Sequence, residues 1–335
     1  MNLSGCSALV TGAQGFAGSW LAKALLEAGA RVTGVQRDEP AMRGLALLGI
    51  EGDVNVVHGD LRDHELMLRV MGEYEVEHVF HLAAQTIVGK ATRSPVPTFE
   101  SNVRGTWTLL EACRVHEPAT VVVASSDKAY GAQDKLPYRE DAPLRPTAPY
   151  EVSKAAADLI ARSYWPSYRL PIAVTRFANL YGGGDLNFSR LVPEVVSAAL
   201  DGRRPVIRSD GSPQREFLYV EDAARAYLAI AAALEDGRGR GEAFNAGGGE
   251  PHPVREVVEL IISLAGAVVE PEFSGSGNLE GEIDRQYVDS TKIRELCGWE
   301  PRADLREGLR LTVDWYREHP EARAPAPTAP ESSVT

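Results

Sequence analysis

The sequence predicts an α/β protein: a doubly wound parallel sheet covered by helices on both faces, followed by a smaller α/β lobe. Three observations support this prediction. Over residues 1–180, short apolar runs alternate with amphipathic helical segments, which is typical of repeated strand–helix–strand units. The first run leads directly into a glycine-rich turn and a helix. After Gly182 the elements shorten and Gly, Pro and Arg become more frequent, which indicates a second unit over 181–318.

The strands of the first unit are predicted from uninterrupted β-branched runs, which suit strands buried on both faces. They lie at 8–11, 31–35, 54–58, 78–82, 120–124 and 172–177. Helical segments such as 20–27 and 106–114 separate them. Residues 319–335 are rich in Ala, Pro and Ser with almost no large apolar groups, so we expect a disordered tail there.

Composition excludes several classes of partner. The 335 residues are 44% hydrophobic, enough for a large core, and the net charge of −12 includes no basic cluster that would track a phosphate backbone. Its three cysteines are scattered without metal-ligand spacing, so we expect no metal site and a reducing cytoplasm. No apolar run approaches the about 18 residues of a membrane span. We therefore expect neither a nucleic-acid partner nor a membrane.

The glycine turn predicts a dinucleotide site. Gly12, Gly15 and Gly18 follow the first strand and precede a helix that we expect to begin near Ser19. Glycines at this spacing permit the tight turn, the approach of backbone to a pyrophosphate and close helix packing. The alternative is a purely structural turn.

Further cofactor contacts are expected where neighbouring strands end. Asp60 could accept a hydrogen bond from an adenine amino group, or be an ordinary loop aspartate, and the small side chains of Ala83 and Ala84 would let a cofactor lie against the backbone. Besides two catalytic residues described next, the predicted cofactor contacts are Gly12, Gln14, Gly15, Phe16, Ala17, Gly18, Arg37, Asp60, Leu61, Leu82, Ala83, Ala84, Gln85 and Asn102.

The end of the second strand leaves the cofactor type open. Gln36 stands where Asp or Glu usually binds the adenosine ribose of NAD. Arg37 could accept the 2′-phosphate of NADP, and Asp38 could serve NAD from one residue further along. We expect NAD, with NADP as the alternative.

A set of proton-transfer groups follows the fifth strand. Ser126, Asp127 and Lys128 emerge at the carboxyl end of that strand, where ligands bind in doubly wound sheets. Tyr150 and Lys154, four residues apart, would share one face of a helix whose first turn carries a proline. An ammonium beside the phenol would lower the pKa of Tyr150 and make it a general base. By spacing alone, a surface helix and a salt-bridged strand end are the alternatives.

Several motifs together resemble the extended short-chain dehydrogenases/reductases of the nucleotide-sugar epimerase/dehydratase group, which have a Rossmann fold. The resemblance covers about residues 5–318 and rests on TGAQGFAGSWL, HGDLRD, HLAAQ, NVRGT, SSDKAYG, PYEVSK, RFANLYGGG, REFLYVEDAARA and FNAGGG. Within this group the chain is most similar to CDP-glucose 4,6-dehydratases, because of GFAGSWL, the Asp-Lys pair, and NLYGGGD followed by RLVPEVV.

This resemblance implies a nucleotide-sugar 4,6-dehydratase. Tyr150, assisted by Lys154, would take the proton of the sugar 4-hydroxyl while hydride passes from C4 to the nicotinamide, and Ser126 would bond the same oxygen. Asp127 would protonate the departing 6-hydroxyl, and Lys128 would accept the C5 proton before hydride returns to C6. A 4-epimerase is the enzymatic alternative, since it needs no charged pair. A catalytically idle NAD(P)-sensing regulator is a third hypothesis.

The resemblance also implies contacts to a nucleotide-diphosphate sugar and a homodimer. Arginine suits the phosphates because its planar fork binds two oxygens and keeps its charge. Helices at 103–114 and 151–164 would form a four-helix dimer interface. The predicted substrate contacts are Asn179, Arg190, Leu191, Val192, Arg208, Arg215 and Arg285.

Overall fold

A computed structural model describes residues 3–38, 43–275 and 283–324 of the chain. The strands are β1 Ser7–Thr11, β2 Arg31–Gln36, β3 Val54–His58, β4 His78–His81, β5 Thr120–Ala124, β6 Ile172–Phe177, β7 Asn179–Tyr181, β8 Val206–Ile207, β9 Gln214–Tyr219, β10 Ala243–Ala246, β11 Pro251–Pro253, β12 Glu272–Phe273 and β13 Arg285–Gln286. The helices are α1 Phe16–Glu27, α2 Gly44–Leu47, α3 His64–Glu73, α4 Val88–Arg93, α5 Pro95–Phe99, α6 Gly105–His116, α7 Pro149–Tyr168, α8 Leu191–Leu200, α9 Val220–Glu235, α10 Val254–Ala265, α11 Thr291–Cys297 and α12 Leu305–Glu318.

The main sheet has seven parallel strands in the order β10-β6-β5-β4-β1-β2-β3. The order reverses between β1 and β4, which makes the sheet doubly wound and confirms the predicted fold class. The six predicted strands agree with β1 to β6 within one residue at each end. β10 returns from the region assigned to the second lobe and pairs with β6, so the chain crosses back into the first unit.

Helix α1 begins earlier than predicted. Gly15 has an extended backbone and immediately precedes the helix, which runs from Phe16 rather than from near Ser19. The helix touches two cores: Leu21 and Leu25 pack against the main sheet, while Trp20 packs against the smaller lobe. The glycine turn therefore sits where both units meet.

The smaller lobe consists of short strands and three helices over the carboxyl ends of the main strands. β7, β9, β11 and β13 form one sheet, and β8 pairs with β12. Helices α8, α10 and α12 cover it, with a core of their own that includes Val195, Val257 and Leu309. This lobe brings β9 and β13 toward the end of β5.

The start of the predicted tail is ordered, contrary to the expectation of disorder from 319 onward. The His319 ring stacks on Trp315 at 4.1 Å between centroids, Ala322 is 2% exposed, and Arg323 pairs with Asp201 at 3.2 Å. These three contacts order the beginning of the segment, although its own composition, with almost no large apolar side chains, would not. The remainder of the predicted tail, 325–335, lies outside the described residues.

Candidate active site

The glycine turn leaves room for a ligand at the amino end of α1. A side chain at Gly12, whose φ is +76°, would place its Cβ 2.8 Å from the Ala83 nitrogen, and one at Gly18 would meet the Gly12 carbonyl. The turn, α1 and the end of β4 therefore pack backbone against backbone. The first N–H groups of α1 have no helical partner and face the end of the sheet, so this arrangement fits the pyrophosphate of a dinucleotide.

Buried hydrogen bonds hold the adjacent end of β4. His81 bridges Thr11 and Thr106, with its ring nitrogens 2.7 and 2.9 Å from the two hydroxyls. Burial lowers the pKa of His81 to about 3, so the ring is neutral. Asn102 accepts a bond from the Gln85 nitrogen at 2.7 Å and donates to the Gln85 carbonyl. Asn102 therefore shapes the loop on which a nicotinamide would lie.

At the far end of the cofactor site, the predicted contacts have protein partners. The Gln14 amide nitrogen donates to Gln36 at 3.2 Å, and the Gln14 amide oxygen is buried with no partner among the described residues. Arg37 pairs with Asp38 at 2.6 Å on the surface. The unpaired, buried amide oxygen of Gln14 could accept a hydrogen bond from a ligand donor such as a ribose hydroxyl.

Asp60 is engaged by its neighbour. Its carboxylate accepts from the backbone nitrogen and the guanidinium of Arg62, and these hydrogen bonds hold the pKa of Asp60 below its usual value. Its contact to adenine stays a prediction. Arg62 also reaches Glu100 at 3.2 Å.

Ser126, Tyr150 and Lys154 converge at the end of β5, as predicted. Tyr150 and Lys154 lie in the first turns of α7, which begins at Pro149, and both side chains are buried. The Tyr150 hydroxyl is hydrogen-bonded to Ser126. The Lys154 ammonium donates to the Ala124 carbonyl at 2.7 Å.

The predicted lowering of the Tyr150 pKa is wrong for the protein described here. Burial raises the pKa of Tyr150 to about 12, and the opposing effects of Arg190 and of the bond to Ser126 do not compensate. Burial also lowers the pKa of Lys154 to about 8. The spacing of the two residues suggested an ion pair, but desolvation of both side chains has the larger effect.

Asp127 and Lys128 form a second part of the site, turned toward the smaller lobe. Asp127 is 2% exposed, and burial raises the pKa of its carboxyl despite the nearby charges of Lys128 and Arg215. One carboxyl oxygen is near the Ser126 hydroxyl at 3.1 Å, and the other is buried with no partner among the described residues. The Lys128 ammonium lies 3.4 Å from the amide oxygen of Gln286 in β13. Its raised pKa and its unpartnered oxygen make Asp127 a candidate acid.

A buried polar network supports the turn that carries this pair. Arg176 in β6 forms a two-pronged ion pair with Asp158 of α7 at 2.7 and 2.9 Å, and donates to the Tyr130 hydroxyl at 3.0 Å. Tyr130 in turn donates to Asn245 of β10 at 2.7 Å. Tyr130 ends the short turn that begins at Asp127, so the network fixes the position of Asp127 from below.

The predicted substrate contacts separate into two groups. Arg190 precedes α8, pairs with the buried Asp185 at 2.9 Å and acts electrostatically on Tyr150. The charge of Arg215 likewise acts on Asp127. Asn179 donates to the Glu216 carbonyl at 3.2 Å. Arg190 and Arg215 therefore lie near the catalytic groups, whereas Asn179 is bound to the backbone of β9.

The other predicted contacts lie further from these groups or face elsewhere. Val192 is 3% exposed within the core of the smaller lobe, and Leu191 packs against that core. Arg208 donates to the Ser189 carbonyl at 3.3 Å, and Arg285 to Gln214 at 3.2 Å. Their binding roles stay predictions.

Two residues of the site were missed by sequence reasoning. Glu216 is 1% exposed, accepts from the nitrogens of Gly249 and Val288, and burial raises its pKa to about 7. Gln286 contacts Lys128. Glu216 had a signal, because a carboxylate inside the apolar run of β9 needs a buried partner, whereas Gln286 had none.

Comparison with known proteins identifies the family. Residues 8–247 match the NAD dependent epimerase/dehydratase family. The chain belongs to this family. It is 35% identical to a dTDP-glucose 4,6-dehydratase of Streptomyces antibioticus, over 96% of this chain and 97% of that protein.

Solved structures of the family superpose closely on the chain. A UDP-glucose 4-epimerase with UDP-glucose from Thermotoga maritima matches with a TM-score of 0.86 and 30% identity, covering 93% of this chain and 99% of that one. A dTDP-glucose 4,6-dehydratase from Streptomyces venezuelae with NAD and TYD bound matches with a TM-score of 0.84 and 32% identity, covering 95% and 99%. The predicted family and its NAD dependence are confirmed. No helix in the described ranges is long and apolar enough to cross a membrane.

Proposed function

We propose that this protein is an NAD-dependent nucleotide-sugar 4,6-dehydratase. The decisive observation is Asp127: a buried carboxyl with a raised pKa and one unpartnered oxygen, next to Lys128. Burying an unpaired acid is costly unless the site uses it. A raised pKa favours the protonated form of the carboxyl, and that form can donate a proton to a leaving hydroxyl.

The residues divide the chemistry between them. Bound NAD supplies the acceptor for a hydride from C4 and returns it to C6. Tyr150 takes the proton of the 4-hydroxyl, and Ser126, already bonded to Tyr150, holds the same oxygen. Burial raises the pKa of Tyr150 to about 12, so the phenol must lose its own proton to solvent before it can accept that of the 4-hydroxyl. The positive charge of a bound oxidised nicotinamide would favour this ionisation.

Elimination then uses the pair at the end of β5. The 4-keto group acidifies C5–H, and Lys128, in its uncharged form, would accept that proton. The C5–H electron pair forms a C5=C6 double bond, the C6–O bond breaks, and the departing oxygen takes the proton of Asp127 to leave as water. When hydride returns to C6, the Lys128 ammonium gives its proton to C5, so atoms and charges balance without any further reactant.

A 4-epimerase is the second candidate, supported by the close superposition on the Thermotoga maritima epimerase. It would need Tyr150 and Ser126 but neither Asp127 nor Lys128. An idle NAD(P)-sensing regulator is disfavoured, since Ser126, Tyr150 and Lys154 all converge on one point.

The deciding experiment is incubation with CDP-, UDP-, GDP- and dTDP-hexoses in heavy water, followed by mass spectrometry and NMR. Loss of water with deuterium at C5 supports the dehydratase. A product of unchanged mass with inverted C4 shows an epimerase. The experiment also identifies the nucleobase of the substrate. The sequence resembles CDP-glucose enzymes, whereas the relatives above are named for dTDP- and UDP-glucose.

We also propose a homodimer through α6 and α7. These packed helices expose large apolar side chains, Trp107 and Val115 on one and Leu159 and Tyr168 on the other. A second copy of this surface would bury them. Light scattering should give twice the mass of 36.3 kDa, and Leu159→Glu should give the monomer. A monomeric wild type would refute the dimer.

The three free thiols suit the cytoplasm proposed for the protein.

A further inference from the structure

Gln286 reaches the catalytic pair from the smaller lobe. Its side chain is 1% exposed, and its amide oxygen lies 3.4 Å from the Lys128 ammonium. The amide nitrogen is buried and has no partner among the described residues. A buried donor without a partner costs about 1–3 kcal/mol, so this group calls for an explanation.

The position of Gln286 is rigidly fixed. It lies in β13, opposite Arg215 of β9 in a parallel pair. Two residues on, the Val288 nitrogen donates to Glu216 at 2.9 Å, and the Gly249 nitrogen donates to the other oxygen of the same carboxylate at 3.0 Å. Gly247 lets this carboxylate approach, because a Cβ there would lie 2.0 Å from it. The amide is thus held in place on the smaller lobe.

Gln286 contributes a neutral acceptor to a strongly charged region. The charged or titratable groups near the pair include Asp127, Arg215 and Glu216, and the phenols of Tyr138 and Tyr150 lie close to Asp127. A carboxylate in place of the amide would favour the protonated amine of Lys128. An amide accepts a hydrogen bond from the amine without adding charge.

We propose that Gln286 is a positioning residue for elimination: its amide oxygen orients the Lys128 amine toward C5, and its amide nitrogen donates to a substrate oxygen beside the reacting carbon. This inference rests on the proposed dehydratase activity. It requires the smaller lobe to complete the elimination machinery, whereas Ser126, Tyr150 and Lys154, the groups proposed for C4 oxidation, all belong to the first unit.

The test compares Gln286→Met, Gln286→Glu and the wild type. Gln286→Met keeps the length of the side chain and removes both polar atoms. We expect elimination, followed as deuterium uptake at C5, to slow at least about tenfold, with the rate of C4 oxidation unchanged by stopped-flow absorbance of the reduced nicotinamide. Gln286→Glu keeps an acceptor beside Lys128 but removes the N–H donor, and it should slow elimination as well.

Val268→Glu is the matched control, because it adds the same charge at a fully exposed position of the same lobe. It should change neither rate nor pH profile. Thermal melting shows which variants are folded, and Gln286→Met carries the test if the buried glutamate unfolds the protein. The inference would be overturned if Gln286→Met left the ratio of the elimination and oxidation rates unchanged, whether both rates slowed equally or neither rate changed. No water loss in the wild type would instead refute the dehydratase itself.

Discussion

The two halves of the active site are built differently. The sheet half consists of Ser126, Tyr150 and Lys154, whose polar atoms are bonded to each other or to the end of β5. The lobe half, with Asp127 and Lys128, meets Gln286 and retains unpartnered buried atoms on Asp127 and Gln286. The polar atoms of the sheet half find their partners within one unit. Those of the lobe half need contacts between two units, and their unpartnered atoms need a substrate.

The difference suggests a division of labour. In the proposed mechanism, the groups assigned to C4 are held by local structure, and those assigned to C5 and C6 are held by contacts between distant segments. Unsatisfied buried polar atoms tend to occur where a ligand supplies the partner. The lobe half is therefore where relatives with different chemistry are expected to differ, and the predictions below test this separation.

The largest effect should come from the sheet half. Tyr150→Phe removes one hydroxyl and should lower kcat by about 10⁴-fold, because the proton of the 4-hydroxyl loses its acceptor. C4 oxidation, read from nicotinamide absorbance, should disappear together with elimination. Tyr227→Phe, at a neighbouring buried tyrosine, is the control and should retain activity. Retained oxidation in Tyr150→Phe would contradict the assignment of the base.

The network beneath the lobe half should dominate stability. Arg176→Met leaves Asp158 as an unpaired buried charge and should lower the free energy of unfolding by about 3–5 kcal/mol. Urea unfolding followed by circular dichroism measures this change. Arg310→Met, which breaks only exposed ion pairs, should cost less than about 1 kcal/mol. A similar cost in both variants would show that the buried pair does not anchor the turn.

Loss of the acid should separate the two halves kinetically. Asp127→Asn should slow elimination about 10²–10³-fold, because the departing oxygen loses its proton donor. C4 oxidation should persist, so reduced cofactor would accumulate. Asp134→Asn, an exposed carboxylate on the same segment, is the control. If oxidation falls in parallel with elimination in Asp127→Asn, the two halves do not act separately.

The smallest effect concerns stability and pH in the sheet half. Burial lowers the pKa of Lys154 from 10.5 to about 8, so between these values the unfolded chain binds the extra proton and stability rises with pH. Lys154→Met should therefore be inactive yet more stable at pH 7, by about 2–3 kcal/mol. This gain should shrink between pH 8 and 10.5. Urea unfolding across this range tests it, with the exposed Lys135→Met as control. A gain independent of pH would mean that charge burial is not its cause.

The fold was largely predictable, since strands buried on both faces leave a local signature. The runs 54–58, 120–124 and 172–177 coincide with strands β3, β5 and β6. The start of α1 was predicted too late, because a glycine can precede a helix without a capping side chain. The order of residues 319–324 was missed because it depends on Trp315 and Asp201, which local composition does not reveal.

The catalytic groups were also predictable as a set, but not their partners. Arg176 had a readable signal, since an arginine within the apolar strand β6 requires a buried counter-ion. Gln286 had none, because a glutamine in a short strand is an ordinary surface residue by sequence. Only the pairing of β13 with β9 brings it to Lys128.

The sequence by itself determined the succession of strands and turns along the chain, and hence that Ser126, Asp127 and Lys128 emerge together at the carboxyl end of β5. These features depend on residues close together in the chain. Only the tertiary structure decided the charge states and partners: a protonated Tyr150, a buried acid at Asp127, and Gln286 beside Lys128. The physical reason is that desolvation and hydrogen bonding depend on which distant segments exclude water from a side chain.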